Sequence, residues 1–165
     1  MHEKLVIVPK KTAVGKKLLS IVLFIITCVF FILSILAPVV FFLTPAMILA
    51  VVWFLVAFRT DIEYEYTYYD GEMRFAKIRA KSKRKGLGRV SMDDVIMLAP
   101  KGDRSVYKYE NDNGIAYKNL TSGETDAKVY ELVFKGEKGI NRYEIEPDEE
   151  MLDEIIKKYA RLVIK

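Results

Sequence analysis

Between residues 74 and 89 the chain carries eight basic side chains and no acid, and four of them, Lys81, Lys83, Arg84 and Lys85, fall within five positions. The chemistry open to such a cluster is the holding of anions. A guanidinium presents paired donors to a phosphate or carboxylate, and an ammonium acts as a point charge. Near an anionic leaflet each basic side chain contributes about 1 kcal/mol, so this loop is the candidate site, a surface for anionic phospholipid headgroups. The competing reading is a solvated cluster that only sets membrane topology. Basic patches also bind nucleic acid, but aromatics are not interleaved with these four residues, and no nucleic-acid partner is expected.

Other chemistry is sparse. The only histidine is His2 and the only cysteine is Cys28, inside an apolar stretch, so no intrachain disulfide is available and a zinc site lacks its usual ligands. No metal and no cofactor is expected. Asn111-Asp112-Asn113-Gly114 has calcium-loop composition without the required spacing or terminal Glu, and reads as a turn. Asp93 and Asp94 are adjacent and point apart in extended chain, which makes a poor catalytic pair. Asn119-Leu120-Thr121 is a formal glycosylation site, silent in a cytoplasmic domain. With no catalytic constellation, the chain reads as non-enzymatic.

The elements that position the basic loop begin with an apolar tract, residues 18–58, that holds no Asp, Glu, Lys, Arg or His. As one helix it would be about 60 Å long, against a hydrocarbon core of about 30 Å, so it must cross, turn and cross back. Lys10, Lys11, Lys16 and Lys17 precede it and Arg59 follows it. Basic residues at span ends stay on the cytoplasmic face, which predicts a multi-pass protein of the cell membrane with both termini cytoplasmic and these five residues setting its topology. A basic leader occupies residues 1–17 and the transmembrane hairpin residues 18–59. The spans are expected at about 18–37 and 45–60 with a turn at 38–44, because Thr44-Pro45 has the form of a helix N-cap followed by proline at the first helical position. A helix starting at Pro38 and kinked at Pro45 competes with this reading. A cleavable signal peptide is disfavoured, since a second apolar stretch follows at once.

Residues 60–165 form one cytoplasmic domain. Ile62-Glu63-Tyr64-Glu65-Tyr66-Thr67-Tyr68-Tyr69 alternates as a half-buried strand does, and Asp70-Gly71 supplies a tight hairpin turn. Further strands are expected at residues 72–79, 87–91, 95–99, 115–120, 129–135 and 140–146, with a helical turn begun by Ser91 and a long polar connection at 101–113. A C-terminal helix at 147–163 carries Met151, Leu152, Ile155, Ile156, Tyr159, Leu162 and Val163 at helical spacing, with acids at its start and bases towards its end. Leu5-Val6-Ile7-Val8 of the leader either adds a strand to the domain or lies on the membrane.

Seven strands and a terminal amphipathic helix resemble the pleckstrin-homology-like fold, a bent sheet or partly open barrel with the helix across one end. More narrowly, the chain is similar to an uncharacterised family of small Gram-positive membrane proteins in which such a domain follows a transmembrane hairpin. The residues that carry the resemblance are Arg59-Thr60-Asp61-Ile62-Glu63-Tyr64-Glu65-Tyr66, the Gly71-Glu72 turn, Lys81-Ser82-Lys83-Arg84-Lys85, Thr121-Ser122-Gly123 and Glu146-Pro147-Asp148-Glu149-Glu150. The resemblance implies a mainly-β fold and a membrane location, but no established activity. Eukaryotic relatives that bind phosphoinositides place basic residues around the loop joining their first two strands. Here that loop is only Asp70-Gly71, which argues against the same recognition.

The function expected is an interaction platform: a membrane-anchored, non-enzymatic domain that engages anionic lipid or an unidentified membrane or cytoplasmic protein. The alternative is a small accessory subunit of a transporter, secretion or envelope complex, with the hairpin as its working part.

Overall fold

Sequence alternation and turn chemistry account for most of the strands in the computed structural model, which describes residues 3–36, 39–112, 114–137 and 139–164. The chain divides into two units. One comprises residues 12–62 with 79–83; the other comprises residues 1–11, 63–78 and 84–165.

The first unit is built on two helices, α1 (Val14–Leu36) and α2 (Val39–Thr60). At 23 and 22 residues they are about 34 and 33 Å long, and both are apolar enough to cross a membrane. They pack through Phe24 on Trp53, ring centroids 5.2 Å apart, and Phe30 on Phe42 at 6.3 Å. Ser34 and Ala46 are the only buried side chains of the pair among the described residues. Small residues at a contact let two helices approach closely.

The expected turn at 38–44 is corrected by the structure, because α2 starts at Val39 and runs through Pro45. Thr44 does not cap a helix; its hydroxyl donates back to the Val40 carbonyl at 3.0 Å. Pro45 removes one N–H from the ladder, but the apolar residues before it keep their backbone groups paired by remaining helical. Likewise α1 starts four residues earlier than the expected span, so Lys16 and Lys17 lie in its first turns, their N–H groups donating to the Ala13 carbonyl at 2.9 and 3.2 Å. Ala37 and Pro38 lie outside the described residues.

The second unit contains eight strands among the described residues, β1 (Lys4–Pro9), β2 (Ile62–Tyr69), β3 (Glu72–Arg79), β4 (Lys83–Ser91), β5 (Val95–Pro100), β6 (Ala116–Asn119), β7 (Tyr130–Gly136) and β8 (Gly139–Ile145). They form two four-stranded sheets, ordered β1-β2-β3-β4 and β5-β7-β8-β6. The leader is therefore not a separate segment. Residues 4–9 pair antiparallel with β2, Val6 opposite Tyr66 and Val8 opposite Tyr64, which settles the open choice for Leu5-Val6-Ile7-Val8 in favour of the sheet. One pairing is parallel, β6 with β8, Ala116 opposite Asn141.

A run of edge-on aromatic contacts joins the sheets through the core, Tyr66 to Phe75 at 5.9 Å, Phe75 to Tyr143 at 5.5 Å and Tyr143 to Phe134 at 4.9 Å. Tyr66 is wholly buried, and its hydroxyl donates to the Leu120 carbonyl at 2.5 Å. The tyrosine row of β2 is thus core. Its opposite face is buried as well, since Glu65 and Thr67 are 6% and 5% exposed, where alternation alone predicts a solvated face.

The C-terminal helix is shorter than expected, α4 spanning Glu149–Tyr159 with α3 (Tyr107–Glu110) a single turn inside the long connection before it. Asp148 sets the start by accepting from the Met151 N–H at 2.7 Å, a side-chain N-cap. Met151 and Ile155 are wholly buried. After Tyr159 the chain tightens into a 3-10 turn, Ala160–Leu162, and Val163 bridges Leu98. Residues 160–163 therefore leave the expected helix, and of these Val163 alone bridges the second sheet.

Candidate functional site

Four residues of the basic cluster fall on two different elements. Only residues 80–82 form the loop; Lys83, Arg84 and Lys85 already belong to β4. The turn places two consecutive non-glycine residues in left-handed backbone, Ala80 at φ 47° and Lys81 at φ 54°, and is closed by Ser82 N–H to the Arg79 carbonyl at 3.1 Å. Residues 79–83 cluster with the helical hairpin in one unit. Ala80 N–H donates to the Asp61 carbonyl, just past α2, at 2.9 Å, and Lys83 Nζ lies 5.7 Å from the centre of the Phe58 ring. The turn is thereby held at the end of α2, with Lys81 and Lys83 exposed.

Arg84 points elsewhere. Its guanidinium pairs with Glu65 across the sheet, so one of the four expected lipid contacts is engaged in neutralising a buried carboxylate. The lysines expected to set topology also separate. Lys11 pairs with Glu124 at 2.8 Å, its N–H donating to the Ser122 carbonyl at 2.7 Å, and Lys10 lies 5.8 Å from the Tyr64 ring. Lys16, Lys17 and the backbone of Arg59 belong to the two helices.

A groove that sequence reading missed lies on the outer face of the first sheet. Its floor is Ala76, Gly86 and Gly88, and three guanidinium groups, from Arg74, Arg84 and Arg89, frame about 380 Å³. Arg74 is paired with Glu72 at 2.6 Å, whereas Arg89 makes no ion pair among the described residues. The Gly86-Leu87-Gly88 pattern inside a basic segment was the available signal. The expected strand begins only at Leu87, whereas β4 begins at Lys83 and runs the length of the segment.

The second sheet carries a buried ion cluster on its outer face. Glu131 is wholly buried, and Arg142 Nη1 lies 2.9 Å from its Oε2 and 3.6 Å from Glu110 Oε1. Arg142 also stacks on the Tyr117 ring at 4.7 Å. Burial raises the Glu131 carboxyl above its ordinary pKa, with the Arg142 hydrogen bond opposing and the Glu110 carboxyl adding to the rise. Nearby, Glu144 is tied to Lys101 at 3.0 Å and to Asn119 at 2.8 Å. The Glu144 carboxylate in turn holds the Lys101 ammonium above its ordinary value. These groups pair chiefly with one another, although Glu131 Oε1 and Arg142 Nε have no hydrogen-bond partner among the described residues, and the arrangement fits a structural role. Asp112 likewise closes a turn, accepting from Gly114 N–H at 2.8 Å; Asn113 lies outside the described residues.

A family model described as Bacterial PH-like domain (DUF6106) matches residues 3–165. No curated protein and no solved structure matches the chain.

Proposed function

The chain belongs to the bacterial PH-like family DUF6106, and we propose that the protein is a membrane-anchored, non-enzymatic interaction module. In this reading α1 and α2 cross the cell membrane as a hairpin with both termini cytoplasmic. Lys81, Lys83 and Lys85, with Arg84 above its buried partner, meet the anionic inner leaflet. PH-like domains generally bind rather than catalyse, which supports the interaction role.

The observation that carries the reading is the packing of the basic turn with the helical hairpin. The hydrogen bond from Ala80 to Asp61 ties the turn to the last residues of α2, so whatever surface that helix leaves, the turn meets first. The helices themselves expose many apolar side chains, among them Phe31, Ile32, Ile48 and Phe54. Such a surface is costly in water and ordinary in lipid. At about 1 kcal/mol for each basic residue, the three lysines would favour an anionic leaflet by roughly a hundredfold.

The full chain reconstituted into lipid nanodiscs tests this. Amide exchange over residues 79–86 should slow in discs containing phosphatidylglycerol relative to phosphatidylcholine alone, and the effect should vanish when Lys81, Lys83, Arg84 and Lys85 are replaced by Gln. Equal exchange in both discs would remove lipid contact from the reading. For the topology, a reporter fused after Lys165 should be active only in its cytoplasmic form; external activity would reverse the orientation.

A further inference from the structure

The first sheet ends at β4, whose outer edge has no strand partner among the described residues. Two grooves meet along it. The outer one is the arginine-framed groove over Ala76, Gly86 and Gly88. The inner one, about 530 Å³, lies between β4 and the β7–β8 hairpin, and Val90, Phe134 and Tyr143 form its apolar wall. Its polar rim carries Arg89 and Lys135 together with Asp94 and Glu137, so its charges balance. Gly88 and Arg89 line both grooves. That the arginine groove faces away from the core follows from register: Glu65, at its wall, lies opposite Ile7, which is 49% exposed.

We propose that the free edge of β4 is a docking site for an extended, acidic partner segment that adds a strand to the sheet. Side chains of an added strand alternate between the two faces. One set would fall over Arg74, Arg84 and Arg89 and the other against Val90, Phe134 and Tyr143. The matching partner therefore alternates acidic and apolar residues. Backbone pairing supplies affinity and the two grooves supply specificity, the division of labour in strand addition.

Charge complementarity selects this occupant. Arg84, Lys85 and Arg89 repel the same edge of a second copy, the use of basic residues that keeps exposed edges from pairing with themselves; they attract an acidic strand. The small floor leaves room that a longer side chain would fill, and Gly88, at φ 150°, lets the edge bend where the grooves meet. The Leu87 carbonyl is held by Lys118 Nζ at 3.2 Å, a side-chain contact that an incoming N–H can replace.

The inference rests on the interaction-module reading but not on lipid contact, and its test is made in detergent so that the two fail separately. The full chain is titrated with a fluorescent ten-residue peptide alternating Glu and Val, read by anisotropy, and amide exchange is measured over residues 84–90. Binding that weakens with salt, slowed exchange at those amides and about a tenfold loss with Arg89→Glu are the expected results. A peptide of the same composition in two blocks, and one N-methylated at every second residue, should both bind worse. The proposal is overturned if the block peptide binds as well as the alternating one, if neither binds, or if exchange slows elsewhere instead. Wild-type exchange keeps the test decisive should Arg89→Glu fail to fold.

Discussion

Each sheet of the domain carries a Glu–Arg pair on its outer face, Glu65 with Arg84 on the first and Glu131 with Arg142 on the second, yet the two are finished differently. The second is roofed by the connection that contains α3. There Ala99, Val106, Tyr109 and Val133 form a buried cluster, and the Arg142 side chain is 13% exposed. The first has no roof: Arg84 is 62% exposed and its neighbours leave a groove. The same pairing that knits a covered face presents cations on an open one. Coverage, more than residue type, separates a structural ion pair from a candidate binding surface.

The comparison breaks most visibly at Glu131. Glu131→Ala strands the largely buried Arg142 and should cost about 3 kcal/mol, read by urea unfolding in detergent from the near-ultraviolet signal of the tyrosines. A cost as small as that of an exposed pair would mean that the roof does not isolate the cluster. Arg84→Ala, the matching change on the open face, leaves Glu65 reachable by water and should cost about 1 kcal/mol.

A pH profile sharpens the contrast. The Glu131 pKa is raised above its ordinary 4.5, first by burial, so the folded state binds the proton more readily than the unfolded chain. Its contribution to stability is full below the ordinary carboxylate range and is lost as pH rises through the raised value. Glu131→Gln should flatten that part of the profile; parallel slopes for variant and wild type would exclude Glu131 as its source. The smallest effect is at the two hairpin turns. Asp70 and Gly71 adopt left-handed backbone with residues suited to it, whereas Ala80 and Lys81 adopt the same region without that advantage. Ala80→Asn should stabilise by about 0.5 kcal/mol, seen as a higher unfolding midpoint with an unchanged denaturant slope.

Strands and turns were legible where the signal was local. Residues 62–69 and 72–79 match β2 and β3 end to end, because alternation and Asp70-Gly71 act within one hairpin. Ser91 begins a short helical turn as expected, its hydroxyl accepting from Asp93 N–H at 3.3 Å. Thr44-Pro45 misled because a cap motif and a mid-helix proline look alike until the flanking residues are known to be helical. The candidate site was half legible. The density of positive charge is written in the sequence, while the exposure of Arg89 and the engagement of Arg84 by Glu65 depend on a residue 19 positions away from Arg84.

By itself, the sequence determined the two apolar helices, the succession of β2 to β8 along the chain and the presence of the terminal helix, since burial period, turn residues and caps act over a few neighbouring positions. Only the tertiary structure decided that the leader closes one edge of the first sheet and leaves β4 open at the other, that the polar face of β2 is buried, and that one arginine pair is roofed and the other bare. Those outcomes depend on which distant segments cover which faces, and the information for them is spread along the whole chain.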